Sequence, residues 1–246
     1  MMEYDVFFIY CIIMYSHSSY SDAWEMFCGQ IEKYLPKEIK RYAFVDESNN
    51  LPENWEIVTY DESLSYNKRM ASCLNAINEE YVILHHEDMP LYDKPDLDFI
   101  EDKIEMMPLY NIDYIKLIKG GNVGIPETQF SDKLYELPRN GDCYFSVQPS
   151  LCKRESLQKL YENCDVENIH EFEPKAHLMS ILLNYKNLYY YDNEPQRGLC
   201  HWDSKVYPYV ATAIVKGKWN YSEYESELSI LHKEYNIDKN IRGEFL

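Results

Sequence analysis

Short apolar runs alternate with stretches of helical spacing through the first half of this chain. Val6–Tyr15 is almost entirely apolar and reads as a strand covered on both faces. Residues 16–21 are a polar break. Asp22, with Glu25 three positions on, marks a helix start, and Trp24, Phe27, Ile31 and Tyr34 recur on one helical face before Pro36 closes the segment. Arg41–Val45 is a short strand ending at Asp46-Glu47, Asn49, Asn50 and Pro52 make a turn, and Trp55–Tyr60 is another strand. Tyr66, Met70, Cys73, Leu74 and Ile77 share one side of the next helix. Tyr81–Leu84 is a short apolar strand, and Pro90 and Pro95 bracket the loop behind it. Leu97, Ile100, Ile104 and Met107 make a third amphipathic helix, and the strand Tyr114–Ile118 stops at Gly120-Gly121.

The second half is less regular. Residues 120–142, rich in Gly, Pro and polar groups, read as a long excursion. Cys143–Val147 resumes a strand, Glu155–Tyr161 is helical, and Pro174 reads as the first residue of a helix running through His177, Met179 and Leu183. Leu188–Tyr191 is strand-like and 192–210 has no clear period. From Asn220, the residues Tyr224, Leu228, Leu231 and Tyr235 make a last amphipathic helix. Alternating strands and helices imply βαβ units, so the fold class is α/β, with a mainly parallel central sheet flanked by helices. A chain of 246 residues suits one such domain. Ligands of open sheets lie beyond the carboxyl ends of the strands. That rule points to 16–21, 46–50, 60–69 and 85–90.

Composition narrows the partners. The 46% of hydrophobic residues is enough to build a core, and the formal charge of −18 disfavours nucleic acid and anionic lipid. An anionic nucleotide then needs local help from a metal, a few basic residues or backbone N–H groups. The 24 tyrosines suit a cleft for sugars or bases, and equally a compositional habit of the source genome. The 7 cysteines are odd in number and contain no C-x-x-C, which fits free thiols in a reducing, cytoplasmic setting. Val6–Tyr15 is too short to span a bilayer, and Glu3 and Asp5 stand where a signal peptide carries positive charge, so no membrane span is expected. Neither G-x-G-x-x-G nor a P-loop occurs, and G-x-S-x-G and H-E-x-x-H are also missing.

Glu87 and Asp88 follow directly on the strand Tyr81–Leu84. Two carboxylates at a strand end can hold a divalent cation that neutralises a diphosphate, with His85 and His86 as further ligands or hydrogen-bond donors. The run Ser65-Tyr66-Asn67-Lys68-Arg69, followed by Ala71, Ala76 and Tyr81-Val82-Ile83-Leu84-His85-His86-Glu87-Asp88, resembles the segment leading into the D-x-D-type motif of GT-A glycosyltransferases, family 2-like. The resemblance covers 6–120 best. Here the acids are adjacent where the family has D-x-D.

The resemblance implies a nucleotide-sugar glycosyltransferase. Residues 1–120 would be its nucleotide-sugar half and 121–246 the acceptor half of the same domain. It implies that Glu87 and Asp88 meet the donor diphosphate through Mn²⁺ or Mg²⁺, with His201 as a further metal ligand. It seats the nucleotide on Tyr15, His17 and Ser18, and puts Asp46 at the base or ribose. Lys68 and Arg69 match positions that reach base or phosphate, and read equally as an exposed basic pair. Inverting transfer to an acceptor hydroxyl needs a base. Glu171 and Glu173 are the candidates, with Glu173 preferred because a helix opening at Pro174 would place it at a dipole that favours the carboxylate. Gln148 and Trp202 are expected at the acceptor, Arg197 at a phosphate, and the basic patch Lys216-Gly217-Lys218-Trp219 near the donor phosphates or as a simple turn. Two other readings fit the scaffold. One is a nucleotide- or carbohydrate-binding module without turnover. The other is a nucleotidyltransferase, disfavoured because Ser16-His17-Ser18-Ser19-Tyr20 lacks the glycines of its phosphate loop.

Overall fold

The computed structural model describes residues 9–48, 50–121, 125 and 127–245. Its main strands are β1 (Tyr10–Tyr15), β2 (Lys40–Val45), β3 (Glu56–Thr59), β4 (Tyr81–His86), β5 (Tyr114–Lys116), β6 (Thr128–Ser131), β7 (Leu134–Glu136), β8 (Ser150–Lys153) and β9 (Asn187–Tyr190). They form one 9-stranded sheet in the order β3-β2-β1-β4-β8-β5-β9-β7-β6. β1 pairs in parallel with β2 and β4, β2 with β3, and β5 with β9. β8 runs antiparallel between β4 and β5, and β7 antiparallel to both β9 and β6. Every strand but β7 and β8 therefore points the same way, as the expected mainly parallel sheet requires. Two small hairpins lie outside it: β10 (Gln196–Arg197) with β11 (His201–Trp202), and β12 (Ile214–Val215) with β13 (Lys218–Trp219).

Helices cover both faces, which is why the central strands are apolar without alternation. They are α1 (Trp24–Tyr34), α2 (Tyr66–Asn75), α3 (Leu97–Leu109), α4 (Arg154–Asn163), α5 (Ile169–Leu182) and α6 (Tyr221–Glu234). Ile12 and Met14 of β1 belong to one core with Phe27 and Ile31 of α1, Ile100 and Ile104 of α3, and Leu228 and Leu231 of α6. The alternate residues Cys11 and Ile13 belong to a second core with Met70 of α2, Leu157 and Leu160 of α4, and Phe172 and Ala176 of α5. Each large apolar side chain so buried contributes roughly 1.5–3 kcal/mol, and truncating Ile12 or Ile13 to Ala should cost about 2–5 kcal/mol. No described helix is long and apolar enough to cross a membrane.

Several expectations change. Val6–Phe8 and Asn49 lie outside the described residues. A 3-10 turn over Ser18–Ala23 precedes α1, so the α-helix opens at Trp24 and not at Asp22. The excursion 120–142 contains the β6–β7 hairpin. Cys143–Val147 is not a strand. Its Tyr144, Phe145 and Val147 fill the second core from a loop, and the strand comes later, at β8. Pro174 sits inside α5, whose cap is Asn168, so Glu173 lies more than a turn into the helix and the dipole argument for it does not hold.

Candidate functional site

The chain leaves β1 toward β2 and β3 on one side, while β4 lies on the other. Beyond Tyr15 and His86, which pair in register, the sheet therefore has its topological switch point. Ser16-His17-Ser18 and Glu87-Asp88 leave the sheet at this point. Asp46 follows β2 and Tyr60 follows β3 beside them.

Asp46 is anchored by Ser18. Its Oδ1 accepts the Ser18 N–H at 2.6 Å and its Oδ2 the Ser18 hydroxyl at 2.5 Å. Burial alone would raise this carboxyl, but the Ser18 hydrogen bonds outweigh it and hold the group below its usual range. His17 Nδ1 accepts the Ser19 N–H at 3.0 Å, capping the 3-10 turn. Its Nε2 then carries the proton and donates to Glu62 Oε1 at 2.6 Å, with Asp46 Oδ2 3.6 Å away. Among the described residues, His17, Asp46 and Glu62 are the group whose metal-type ligand atoms lie within 4.8 Å of one another. In this tautomer the imidazole offers the carboxylates a proton and offers a cation no lone pair. Tyr15 stacks on Tyr60 with centroids 5.3 Å apart, and the Tyr60 hydroxyl donates to Ser16 O at 2.8 Å. Arg69 donates to Leu64 O at 2.7 Å and to Glu62 O, so it shapes the loop after β3, while Lys68 is solvent-exposed.

Glu87 is buried and Asp88 half-buried. Burial pushes both carboxyls up, and the Asp88 charge pushes Glu87 further. Main chain from the β12–β13 hairpin docks on them: Asp88 O accepts the Ala213 N–H at 2.8 Å, and the Asp88 carboxylate takes an N–H from Ile214. Two hard oxygen donors with raised affinity for protons fit a divalent cation. The adjacent histidines divide between the faces of the sheet. His85 is fully buried and uses both nitrogens, on Met89 O at 3.1 Å and the Tyr207 hydroxyl at 2.8 Å. It is a core residue and leaves the ligand set. His86 faces Tyr15 across 5.5 Å, and its buried Nε2 has no hydrogen-bond partner among the described residues.

At the same end of the sheet, Glu173 Oε1 accepts the Val147 N–H at 2.7 Å. The buried Tyr66 hydroxyl lies within electrostatic range of both Glu173 and Glu87. Gln148 precedes β8 at the same end of the sheet, its Oε1 accepting from the Tyr209 hydroxyl at 2.8 Å. Lys116, at the end of β5, is 1% exposed and donates to Gly120 O at 3.2 Å. Burial pushes its ammonium down, against the charges of Cys143 and Glu173.

The remaining expected residues have other tasks. His201 bridges to Gly120 and sits beside Lys116, where burial and then the lysine charge push it down to about 4. Glu87, Asp88 and His201 are not among the described groups whose ligand atoms lie within 4.8 Å of one another, and β11 sets His201 beside Lys116 instead. Trp202, next along β11, lies under Lys119 Nζ, 4.8 Å from its ring, and is mostly buried. Arg197 is held by Asp203 at 2.9 Å and by Glu227. Glu171 closes a variant of the capping box: its N–H donates to Asn168 Oδ1 at 3.1 Å, while its carboxylate accepts from Asn168 Nδ2 at 3.0 Å and from the Glu167 N–H at 3.1 Å. That box was visible as Asn168-x-x-Glu171. Glu62, Lys116 and Ser16 were not singled out. Ser16 and Glu62 fall inside the strand-end segments 16–21 and 60–69 with no motif of their own, and Lys116 shows as a charge inside an apolar run.

No family model matches the chain, and no curated protein does. Solved structures do. S. aureus TarS, residues 1–349, superposes with a TM-score of 0.51 at 14% identity, over 95% of this chain and 68% of that one. The fold is of the GT-A type. The same TarS fragment in complex with UDP follows at a TM-score of 0.49 and 13% identity, over 95% of this chain and 68% of that one. A CMP:2-keto-3-deoxy-manno-octonic acid synthetase complexed with CTP gives 0.47 at 10% identity, over 74% of this chain and 88% of that one. At these identities the GT-A likeness concerns the course of the backbone. The functional reading rests on the geometry above.

Proposed function

We propose that this chain transfers a sugar from a nucleoside diphosphate sugar to an acceptor hydroxyl, with inversion. What supports the reading is the placement of Glu87-Asp88 at the switch point, with Glu173 held by the Val147 N–H at the same end of the sheet. Tyr15, His17, Ser18 and Asp46 line the nucleotide side. Glu87 and Asp88 would hold Mg²⁺ or Mn²⁺, which would neutralise the donor diphosphate when bound. Glu173 takes the proton of the acceptor hydroxyl as that oxygen bonds to the anomeric carbon. The bond from this carbon to the β-phosphate oxygen breaks, and the nucleoside diphosphate leaves with the electron pair. Val147 fixes the carboxylate for that task, and Gln148, held by Tyr209, borders the acceptor.

The test is calorimetry and donor turnover with UDP-, GDP- and dTDP-sugars, with and without Mn²⁺. Binding and slow donor hydrolysis with one of them would support the reading. Silence across the panel from a folded sample would overturn it.

A further inference from the structure

The crevice mouth is crowded with acids, in a chain of net charge −18. Yet one cation is brought to it from the far end of the described chain. Residues 236–245 fold back along the β12–β13 hairpin: Trp219 N–H donates to Gly243 O at 3.0 Å, and Phe245 N–H to Trp219 O at 2.8 Å. The hairpin itself turns tightly through Lys216 and Gly217, both with positive φ, the conformation that a two-residue turn of this hand demands. Because the hairpin also holds Asp88, the returning segment arrives over the acidic end of β4. Its Arg242 lies between the Tyr20 and Trp219 rings, 4.8 Å and 5.7 Å from their centroids. The guanidinium forks onto Asp22, with Nε to Oδ2 at 2.6 Å, and reaches Ser19 O at 3.4 Å and Gly217 O at 3.5 Å. Asp22 belongs to the turn that follows β1. Arg242 therefore ties the turn after β1 to the hairpin that holds Asp88, and its charge acts on Glu87 and Asp88.

A planar guanidinium forked onto one carboxylate matches two oxygens of a phosphate equally well, and Asp22 is 40% exposed, so the exchange opens no buried charge. We propose that Arg242 is a ligand of the donor diphosphate, taking it in exchange for Asp22, and that residues 236–245 thereby close the donor site. This rests on the transferase reading only in requiring a nucleoside diphosphate at the switch point.

The two residues of the ion pair make opposite predictions, which a merely structural tether does not. UDP, GDP, dTDP and CDP are titrated calorimetrically with Mn²⁺ into the wild type, Arg242→Ala and Asp22→Asn, with the matching nucleoside as control. For the diphosphate that binds, Arg242→Ala should weaken affinity about tenfold or more, the loss of one charge-assisted fork, and leave the nucleoside unchanged. Asp22→Asn should tighten the diphosphate several-fold, because its competitor is gone. Affinity of Arg242→Ala within twofold of wild type, or weakening by both variants alike, would overturn the proposal and leave the transferase reading standing. If Arg242→Ala does not fold, the sign of the Asp22→Asn effect decides. A wild type that binds no diphosphate overturns this proposal and the transferase reading together.

Discussion

The donor and acceptor walls of the proposed site solve their charge balance in opposite ways. On the donor wall, Asp46 is satisfied by neutral donors from Ser18, while Glu87 and Asp88 lie together with Arg242 as the nearby cation, itself already forked onto Asp22. On the acceptor wall a lysine is buried at the end of β5 with Glu173 in reach, and His201 beside it is pushed toward the neutral form. The first wall carries more acid than its nearby cation offsets, and the other holds its own. Under the proposed reading the anionic diphosphate would need a divalent cation or Arg242 to offset the acids of the first wall, while the acceptor hydroxyl would meet a carboxylate whose counter-charge is already in reach.

The largest effect that would break this contrast is at Glu173. Glu173→Gln keeps an oxygen for the Val147 N–H but removes the basic carboxylate. Turnover should fall by about 10²–10⁴, with donor affinity unchanged in calorimetry. Turnover within tenfold of wild type would remove Glu173 as the base, and no turnover in either protein would favour a binding module.

The acid pair gives the next effect, in stability. Its folded-state carboxyls are raised above the ordinary values of 4.5 and 3.8, so the folded state holds protons more tightly than the unfolded one. Stability from this source is greatest below the ordinary carboxylate range and falls as pH rises through the raised folded values. The double variant Glu87→Gln, Asp88→Asn should therefore gain on the wild type as pH rises, by about 1–3 kcal/mol between pH 5 and pH 9. Thermal melts at both pH values check this, and Mn²⁺ should narrow the gap for the wild type alone. A difference that does not change with pH would mean the pair is not strained.

How far the sequence could be read follows the same division. β1, β2, α2 and β4 were legible because local period and burial agree: strands covered on both faces are apolar throughout, and Glu87-Asp88 ends one of them. The segment around Glu173 was misread because Pro174 suggested a helix start, although Asn168 and Glu171 spelled out the capping box. Tyr144-Phe145 looked like a strand because a loop that fills a core is as apolar as a strand. Arg242 and His201 were beyond reach, since their surroundings come from β-bridges and pairs spanning up to 223 residues, which no local pattern encodes.

Lys116 sharpens the acceptor side of the contrast. Burial lowers its ammonium, so below that lowered value the folded state carries a charge it disfavours. Lys116→Met keeps the stem and removes the charge, and should raise stability by about 1 kcal/mol at neutral pH. A lowered melting temperature would show that the hydrogen bond to Gly120 O outweighs the burial.

The smallest effect belongs to His17 and Glu62, where metal binding and a plain tether differ in outcome. With Nδ1 accepting the Ser19 N–H, the proton sits on Nε2 and points at Glu62. A metal would need that nitrogen's lone pair, so it would have to displace either the proton or the Ser19 bond. Glu62→Gln leaves an oxygen to accept from Nε2 and removes a charge that is 58% exposed, so stability should change by less than about 0.5 kcal/mol. Equimolar Zn²⁺ should leave the wild-type melting temperature unchanged, and the imidazole ¹⁵N shifts should report the Nε2–H tautomer. A Zn²⁺-dependent rise abolished by Glu62→Gln would make this cluster the cation site of the donor wall. The charge deficit would then lie at the loop after β1, and Glu87 and Asp88 would need another account of why they are buried side by side.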